Sequence, residues 1–489
     1  MVGAGGTMRV SEHYQLGIAQ PSLEFLDVDT DSDTRVFVDP HAFRYLDADW
    51  AFECVALLQD FYNELIHAVQ TKNYSRGEYL LGQLNESNEV HLGLSKDEAR
   101  GKGVGETLAE DIFDTLLSNE AVTSGIVEDV EETLLFVDGI GHDRVSDMTI
   151  NIVRRPLIEF TQRMCDQYGI PMVQDLNSGP MWNRMAHVWE AAHVSLPMPS
   201  GKLLLVPKAV VRKTGTFDPG EYLTHFVLPY LQRRELDNPY SALVRERKSK
   251  RLRGQRYVTK KSIRERDGKS TKPWNAEITH DSPEIMQAYR ASRSAKSEPP
   301  THEEIANATG TPPPDWDKLL ADVLSIPSGK DGADDYHYAI QHLLTALFYP
   351  ALDLPRREFN IHDGRKRIDI VYANVAATGF FHWINNIANV PASSVIVECK
   401  NYTGALSNPE FDQLTGRFSP KRGRLGLLCY RGFADKKESV KQHCKDAALD
   451  DRGYVIPLDD QDLAVLVDSR KNGEETVFSY LYSRYQEII

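Results

Sequence analysis

The chain contains little cysteine and no long apolar run, and both absences narrow the classes of protein to which it can belong. Its cysteines are scattered and form no CxxC pair: Cys54, Cys165, Cys399, Cys429 and Cys444. An odd number of dispersed thiols favours a reducing compartment over a disulfide framework or a cysteine-based zinc site. No apolar stretch approaches the roughly 20 residues of a membrane span, and the N-terminus lacks a signal-peptide pattern. We therefore expect a cytoplasmic protein that does not enter a membrane.

The chain as a whole also lacks positive charge, although one segment has it in excess. The net charge is −15, which is unusual for a protein that binds nucleic acid. The segment Arg245 to Lys272, however, contains thirteen lysines and arginines against three acids, so it carries +10 and the remainder −25. A concentrated basic stripe is the feature that binds phosphates, without sequence preference and in a salt-sensitive way. The alternative is a solvated helix or a disordered arm. The predicted nucleic-acid contacts here are Arg247, Lys248, Lys250, Arg251, Arg253 and Arg256.

Changes in composition indicate three regions, as many as a length of 489 residues allows. Residues 1–240 combine predicted helices at 48–71, 157–168 and 218–234 with predicted strands at 23–28, 35–38, 134–137, 202–206 and 209–212. We expect a mixed α/β body of unassigned fold. Residues 241–326 hold the basic segment and a helical connector interrupted by proline runs. Residues 327–489 alternate helices and strands in the order of a mixed sheet flanked by helices.

Two apolar strands in the third region are interrupted by charged residues. Val395 to Val397 leads into Glu398-Cys399-Lys400, and Asp369 lies inside Ile368 to Val371. A carboxylate within a buried strand is costly unless it is paired or binds a metal. Glu398 and Lys400 face the same side, because side chains two apart in a strand do so. Two carboxylates and an ammonium at one sheet end suit a hard divalent cation, and a plain salt bridge is the structural alternative.

This arrangement, an aspartate followed after a long gap by Glu-x-Lys, resembles the PD-(D/E)xK nuclease superfamily. The resemblance covers roughly residues 331–466 and implies a restriction-endonuclease-like fold. Gln413, on a helix predicted from Asn408, falls where relatives of the Mrr type often carry a glutamine. The chain departs from the pattern in two places. An extra helix or loop occupies Gly379 to Ile384, and His337 stands on the first helix where the family often has an acid.

The resemblance implies metal-dependent hydrolysis of phosphodiester bonds. Asp369 and Glu398 would bind Mg²⁺, or Mn²⁺ as the alternative, and the backbone carbonyl of Cys399 would be a further ligand. Lys400 would stabilise the attacking water or a phosphoryl oxygen, and Gln413 would orient the water or the scissile phosphate. The basic turn after this helix contains Arg417, Lys421, Arg422 and Arg424 and would hold the nucleic-acid backbone; a solvated turn is the alternative.

By the same resemblance, the chain looks like a restriction or anti-phage defence endonuclease whose N-terminal body recognises or senses the target. We expect nucleic acid as the partner, DNA rather than RNA, and a homodimer or a separate subunit is compatible with this expectation. One alternative is a non-catalytic nucleic-acid-binding or sensor protein on a degenerate nuclease fold. Another is a site in the N-terminal body formed by Asp138, Asp143 and Asp147, although a tight turn explains these acids more simply. The glycine-rich run Gly101 to Gly105 matches no phosphate-binding pattern, and we predict a loop there.

Overall fold

The structure is a computed structural model that describes residues 8–46, 49–93, 106–213, 215–247, 252, 254–268, 270–293, 299–361, 366–404, 406, 408–432 and 437–489. The run Gly101 to Gly105 lies outside these residues. None of the described helices combines the length and the apolarity that a bilayer crossing requires.

The helices of the described residues are α1 Val10–His13, α2 Asp49–Gln70, α3 Tyr74–Leu81, α4 Glu106–Ser118, α5 Glu120–Thr123, α6 Thr133–Phe136, α7 His142–Ile152, α8 Arg154–Tyr168, α9 Pro219–Tyr222, α10 Leu228–Asp237, α11 Lys260–Asp267, α12 Thr271–Asp281, α13 Glu284–Arg293, α14 His302–Thr309, α15 Trp316–Leu324, α16 Ala333–Phe348, α17 Gly379–Asn386, α18 Asn408–Thr415, α19 Lys437–Leu449, α20 Asp460–Asn472 and α21 Glu474–Gln486. The strands are β1 Phe37–Val38, β2 Val173–Asn177, β3 Met181–Asn183, β4 Val188–Glu190, β5 His193–Leu196, β6 Val211–Arg212, β7 Arg245–Glu246, β8 Arg256–Tyr257, β9 Leu352–Ile361, β10 Lys366–Asn374, β11 Ser394–Lys400, β12 Leu425–Tyr430 and β13 Tyr454–Leu458.

The C-terminal region is built on a mixed sheet of five strands in the order β13-β12-β11-β10-β9. β9, β10 and β11 pair antiparallel, whereas β11, β12 and β13 run parallel. Every residue of β12 is buried, as expected for a parallel strand covered on both faces. α16 packs against β9 and β11, and α19 packs against β13. The predicted mixed α/β sheet with flanking helices is confirmed at this level, and the predicted insertion at Gly379 forms α17.

The described part of the N-terminal body is mainly helical, and several of its predicted strands are wrong. The predicted strand at 134–137 is instead helix α6, whose residues are all buried. A short, fully buried apolar run does not distinguish a strand from a helix, which explains the error. The segments 23–28 and 202–206 lie side by side without forming a ladder, joined by the Leu26 N–H to Val206 carbonyl bond of 2.9 Å. β1 and β6, in turn, pair over only two residues.

The predicted connector, residues 241–326, divides its packing between the two ends of the chain. Ile263 and Trp274 belong to the hydrophobic cluster of the N-terminal body, and so does Ile305 on α14. Val323 on α15 belongs to the cluster of the C-terminal sheet. The change of core therefore falls between α14 and α15, later than the start of the basic segment.

A buried group of charges joins the N-terminal body to the C-terminal sheet. Glu24 is fully buried and accepts hydrogen bonds from Gln167, at 3.0 Å, and from Gln341 on α16, at 2.9 Å. Lys208 is also fully buried, and its Nζ donates to the carbonyl of Pro21 at 2.9 Å. Burial raises the pKa of Asp353 on β9 to about 6 and lowers the pKa of Lys208 to about 8, although their opposite charges counteract both shifts. The ammonium of Lys208 thus balances carboxylates on both sides of the interface.

We expect Lys208→Met to lower the free energy of unfolding by about 3–5 kcal/mol, because Glu24 and Asp353 would remain buried without a cation. The matched control is Lys202→Met. Lys202 forms a partly exposed ion pair with Glu89 at 3.2 Å, which predicts a cost of only about 0–1 kcal/mol. Denaturant titration of the full chain measures both values. Equal costs would contradict a balancing role for Lys208.

Candidate functional site

The site lies at the end of the sheet where β10 and β11 run side by side. Ile370 pairs with Val397 in the antiparallel ladder, so Asp369 and Glu398 follow next at the same end. β9 continues the sheet beyond β10 and places Arg357 opposite Ile370. Because β11 is central and covered on both faces, its last residues are buried even though they carry charge. The sequence prediction that these two strands are neighbours is confirmed.

Glu398 lies between two cations at the end of β11. Its carboxylate is fully buried, and Lys400 Nζ donates to Oε1 at 2.7 Å. The guanidinium of Arg417 contacts Oε2 of the same carboxylate. This contact is an ion pair rather than an aligned hydrogen bond, because neither Arg417 Nη1 nor Glu398 Oε2 has a hydrogen-bond partner within the described residues. Burial lowers the pKa of Arg417, whereas the charge of Asp369 opposes that shift.

Asp369 turns toward the backbone of β11 and toward helix α16. Its Oδ2 accepts the backbone N–H of Cys399 at 2.9 Å and lies 3.9 Å from His337 Nε2. The same imidazole nitrogen lies 3.3 Å from the carbonyl oxygen of Cys399. Burial raises the pKa of the Cys399 thiol, so without a metal this thiol is neutral. The group that reaches the site from α16 is therefore the imidazole of His337. No acid among the described residues of this helix does so.

Gln413 completes the predicted set from helix α18. Its side-chain oxygen lies 3.2 Å from Lys400 Nζ, and the residue is exposed. Lys400 is consequently held by Glu398 on the buried side and by Gln413 on the solvent side. Glu398, Lys400 and Gln413 are thus joined by direct contacts. Asp369 lies at the same end of the sheet and is joined to this group only through the backbone N–H of Cys399.

The donor atoms present fit a divalent cation in part. Asp369 is accessible and still has Oδ1 to offer, and the carbonyl of Cys399 adjoins it. The buried Oε2 of Glu398 lacks an aligned donor, which is what a coordinating oxygen without its ion shows. Arg417, however, contacts that oxygen directly. Asp369 and Cys399 could therefore bind a cation as they stand, whereas Glu398 could join them only if Arg417 moved.

The predicted nucleic-acid contacts lie in two separate parts of the structure. Neither part adjoins the whole candidate site. Arg256 is exposed on β8, and Arg247 lies 5.0 Å from the ring of Tyr257; this hairpin packs with the N-terminal body. Arg424 pairs with Asp451 at 2.8 Å at the opposite end of the sheet from Lys400. In the turn before it, Arg422 donates to the carbonyl of Arg417, at 3.1 Å from Nη2, and Lys421 is exposed. Lys248, Lys250, Arg251 and Arg253 lie outside the described residues.

A cleft of about 680 Å³ beside the site contains arginines that sequence reasoning missed. Arg356 and Arg357 come from β9, and Arg163 comes from α8 of the N-terminal body. Arg357 lies over the ring of Tyr338, 3.3 Å from its centroid. Burial, helped by the charge of Arg356, lowers the pKa of Arg163 to about 10. Asp166, Asp334 and Glu358 also line the cleft, so its three arginines are matched by three acids. No local motif marks this cleft, because strand register and interdomain packing assemble it.

The acids of the alternative N-terminal site do not converge in the same way. Asp143 and Asp147 lie on one face of α7, and Asp138 precedes that helix. Burial raises the pKa of Asp147 to about 7, and its Oδ1 accepts the N–H of Ser87 at 3.3 Å. Among the described residues, the metal-ligand atoms of His337, Asp369 and Cys399 do lie within 4.8 Å of one another.

Comparison with known proteins adds one finding on the N-terminal body. A family model described as a domain of unknown function, DUF8370, matches residues 15–218. The matched region ends before the basic segment and does not include the site strands. No curated protein and no solved structure matches the chain. The interpretation of the C-terminal site therefore depends on its own geometry.

We expect Glu398→Gln to destabilise the fold by about 3–5 kcal/mol, because Lys400 and Arg417 would both remain buried without their counter-charge. Glu438→Gln is the matched control, since the side chain of Glu438 is 87% exposed and its loss should change stability by no more than about 0.5 kcal/mol. Denaturant unfolding of the two variants measures the difference. A cost for Glu398→Gln as small as that of the control would show that the two cations are hydrated rather than buried.

Proposed function

We propose that the chain is a metal-dependent endonuclease that hydrolyses phosphodiester bonds, with DNA as the first substrate to test. The observation that carries this proposal is the meeting of Asp369, Glu398, Lys400 and Gln413 at one sheet end. The strand order supports a restriction-endonuclease-like fold, since the aspartate strand pairs antiparallel with the Glu-x-Lys strand, which continues into a parallel pair. Within the PD-(D/E)xK superfamily, we propose that the C-terminal domain is of the Mrr type.

The proposed cofactor is a divalent cation, Mg²⁺ or alternatively Mn²⁺, held by Asp369 and the carbonyl of Cys399, and by Glu398 once Arg417 has moved. Such an ion supplies a Lewis acid and lowers the pKa of a bound water. Lys400 presents a fixed positive charge to the attacking water or a phosphoryl oxygen, because Glu398 and Gln413 fix the position of its ammonium.

The three arginines of the cleft support nucleic acid as the substrate, although three acids line the same cleft. Arg357 pairs with Ile370, the residue next to Asp369, and its charge acts on Cys399, so a phosphate at this arginine would lie near Asp369 and Cys399. Tyr338 and Phe359 line the same cleft and offer ring faces on which bases can stack. Arg163 adds a contact from the N-terminal body, for which we propose a role in recognition or sensing of the target. Restriction or anti-phage defence is the biological setting that we propose for such an enzyme.

A second candidate function is a non-catalytic nucleic-acid-binding or sensor protein on the same fold. The observation that favours it is the Arg417 contact with Glu398, because a buried guanidinium supplies the positive charge that a cation would otherwise supply there. The cleft would bind nucleic acid in either case. Cleavage activity alone therefore decides between the two candidates.

We expect the purified chain to nick or linearise supercoiled plasmid in the presence of Mg²⁺ or Mn²⁺. Asp369→Asn and Lys400→Met should each reduce the rate by about 100-fold or more, since the first removes a ligand of the ion and the second removes the positive charge at the reacting phosphate. Asp143→Asn and Asp147→Asn are the controls, because these acids lie on α7 and should leave cleavage unchanged. Gel assays on equally folded protein measure the rates. Parental rates in both site variants would reject this site, and no cleavage by any preparation would favour the non-catalytic candidate.

We also expect Arg163→Ala and Arg357→Ala to weaken binding to a DNA duplex and to make it less sensitive to salt. Each lost phosphate contact lowers the slope of log affinity against log salt by about 0.9. Arg184→Ala is the matched control, since Arg184 forms an exposed pair with Glu53 at 3.2 Å outside the cleft and should change neither quantity. Fluorescence anisotropy across a salt series measures both. Equal losses for all three variants would show that the cleft has no special role.

A further inference from the structure

Three different donor groups meet beside the Glu-x-Lys strand: the imidazole of His337, the carboxylate of Asp369 and the thiol of Cys399. Their ligand atoms all lie within 4.8 Å of one another. Two ligands bound to the same ion, each about 2.0–2.3 Å from it, lie no more than about 4.6 Å apart. The His337 Nε2 to Asp369 Oδ2 distance of 3.9 Å is already within that limit. Three ligands around one ion lie closer together, roughly 3.3–3.8 Å apart in a tetrahedral site, so the three groups can share an ion after side-chain movements on the order of 1 Å.

The chemistry of these donors differs from that of an all-oxygen magnesium site. Mg²⁺ binds carboxylates, carbonyls and water, whereas imidazole nitrogen and thiolate sulfur select transition metals. The first helix of the proposed nuclease fold presents an imidazole at this position. The one carboxylate that would restore an oxygen-rich site, Glu398, is buried between Lys400 and Arg417. The donors that are not already paired with a cation are thus the mixed set.

We propose that this chain binds a first-row divalent transition-metal ion, in preference to Mg²⁺, through His337 Nε2, the Asp369 carboxylate and Cys399 Sγ. On binding, the thiol proton of Cys399 passes to solvent and the thiolate coordinates the ion. This inference deepens the proposed function and rests on it for the role of the ion in hydrolysis. The site itself does not depend on that role, because coordination can be measured without any substrate.

The competing explanation is that His337 only donates a hydrogen bond to the Cys399 carbonyl, at 3.3 Å. That bond would fix the end of β11 against α16 and would need no ion. The two explanations differ in what a metal does to the protein. If His337 forms only a structural hydrogen bond, added ions do not stabilise the protein. If the three groups form a metal site that exists only in the folded protein, the melting temperature rises with the ion concentration.

The first experiment measures thermal unfolding and isothermal titration of the full chain with Mn²⁺, Zn²⁺ and Mg²⁺ in turn. We expect Mn²⁺ and Zn²⁺ to bind roughly tenfold or more tightly than Mg²⁺. His337→Gln should weaken the transition-metal binding by about tenfold or more, since even residues that only support metal ligands cost that much. The matched control is His193→Gln, because His193 and Asp175 form an exposed pair 2.8 Å apart that lacks a thiol. Equal effects of the two histidine variants, or equal affinity for all three ions, would overturn the proposal.

The second experiment tests the thiol ligand by loading the chain with Co²⁺ and recording its absorption spectrum. A thiolate ligand gives a sulfur-to-cobalt charge-transfer band, which Cys399→Ala should abolish. Cys429→Ala is the control for folding, since Cys429 is equally buried and pairs with Cys399 in the sheet. A band that survives in the Cys399 variant, or is absent from the parent, would exclude the thiol.

The same experiments separate the failure of this inference from the failure of the proposed function. Tight binding that depends on His337 in a protein that cuts no nucleic acid would keep the metal site and reject the nuclease. Cleavage by a protein whose transition-metal binding is unchanged by His337→Gln would keep the nuclease and reject the transition-metal site.

Discussion

The burial of the Glu398 carboxylate is the constraint on which the site depends. A carboxylate removed from water is stable only with close opposite charge, and Lys400 and Arg417 supply it from the same strand and from the segment after α18. These contacts fix the end of β11 and the start of the connection to β12. They also fix the Lys400 ammonium, which contacts the exposed Gln413 as well. One ion-pair network therefore determines both local stability and the position of the Lys400 ammonium.

The same network sets the charge of the site. Asp369 and Glu398 carry two negative charges, and Lys400 and Arg417 carry two positive ones, so the cluster is balanced without any bound ion. A dication gains less from a balanced cluster than from two bare carboxylates, because each cation already present repels it. Additional ligands such as His337, which is uncharged when it coordinates, recover affinity without adding like charge. Arg417 and His337 are thus two parts of one electrostatic arrangement.

The sequence predicted the strands of this site well, because β11 and β12 are buried on both faces and appear as continuous apolar runs. It also predicted Gln413, which is local to the helix after β11. Arg417 belongs to the predicted basic turn, two residues beyond the end of α18, but its contact with the buried Glu398 was not predicted. The position of His337 depends on how α16 packs across the sheet, and Arg163 depends on interdomain contact. Non-local packing of that kind leaves no mark in the sequence around either residue.

Helix α16 connects the site to the N-terminal body. His337 contacts Cys399 and Asp369, and Gln341, one turn later, donates to the buried Glu24 of the N-terminal body. Because one intact helix turn separates His337 from Gln341, their relative positions are fixed. A shift of either residue therefore moves the other. Rearrangement at Glu24 would expose its buried charge or leave it unpaired, and both are costly. The interface therefore favours a few distinct arrangements of these side chains over a continuous range of positions. If the N-terminal body senses a target, α16 is the element through which that event can reach the metal ligands.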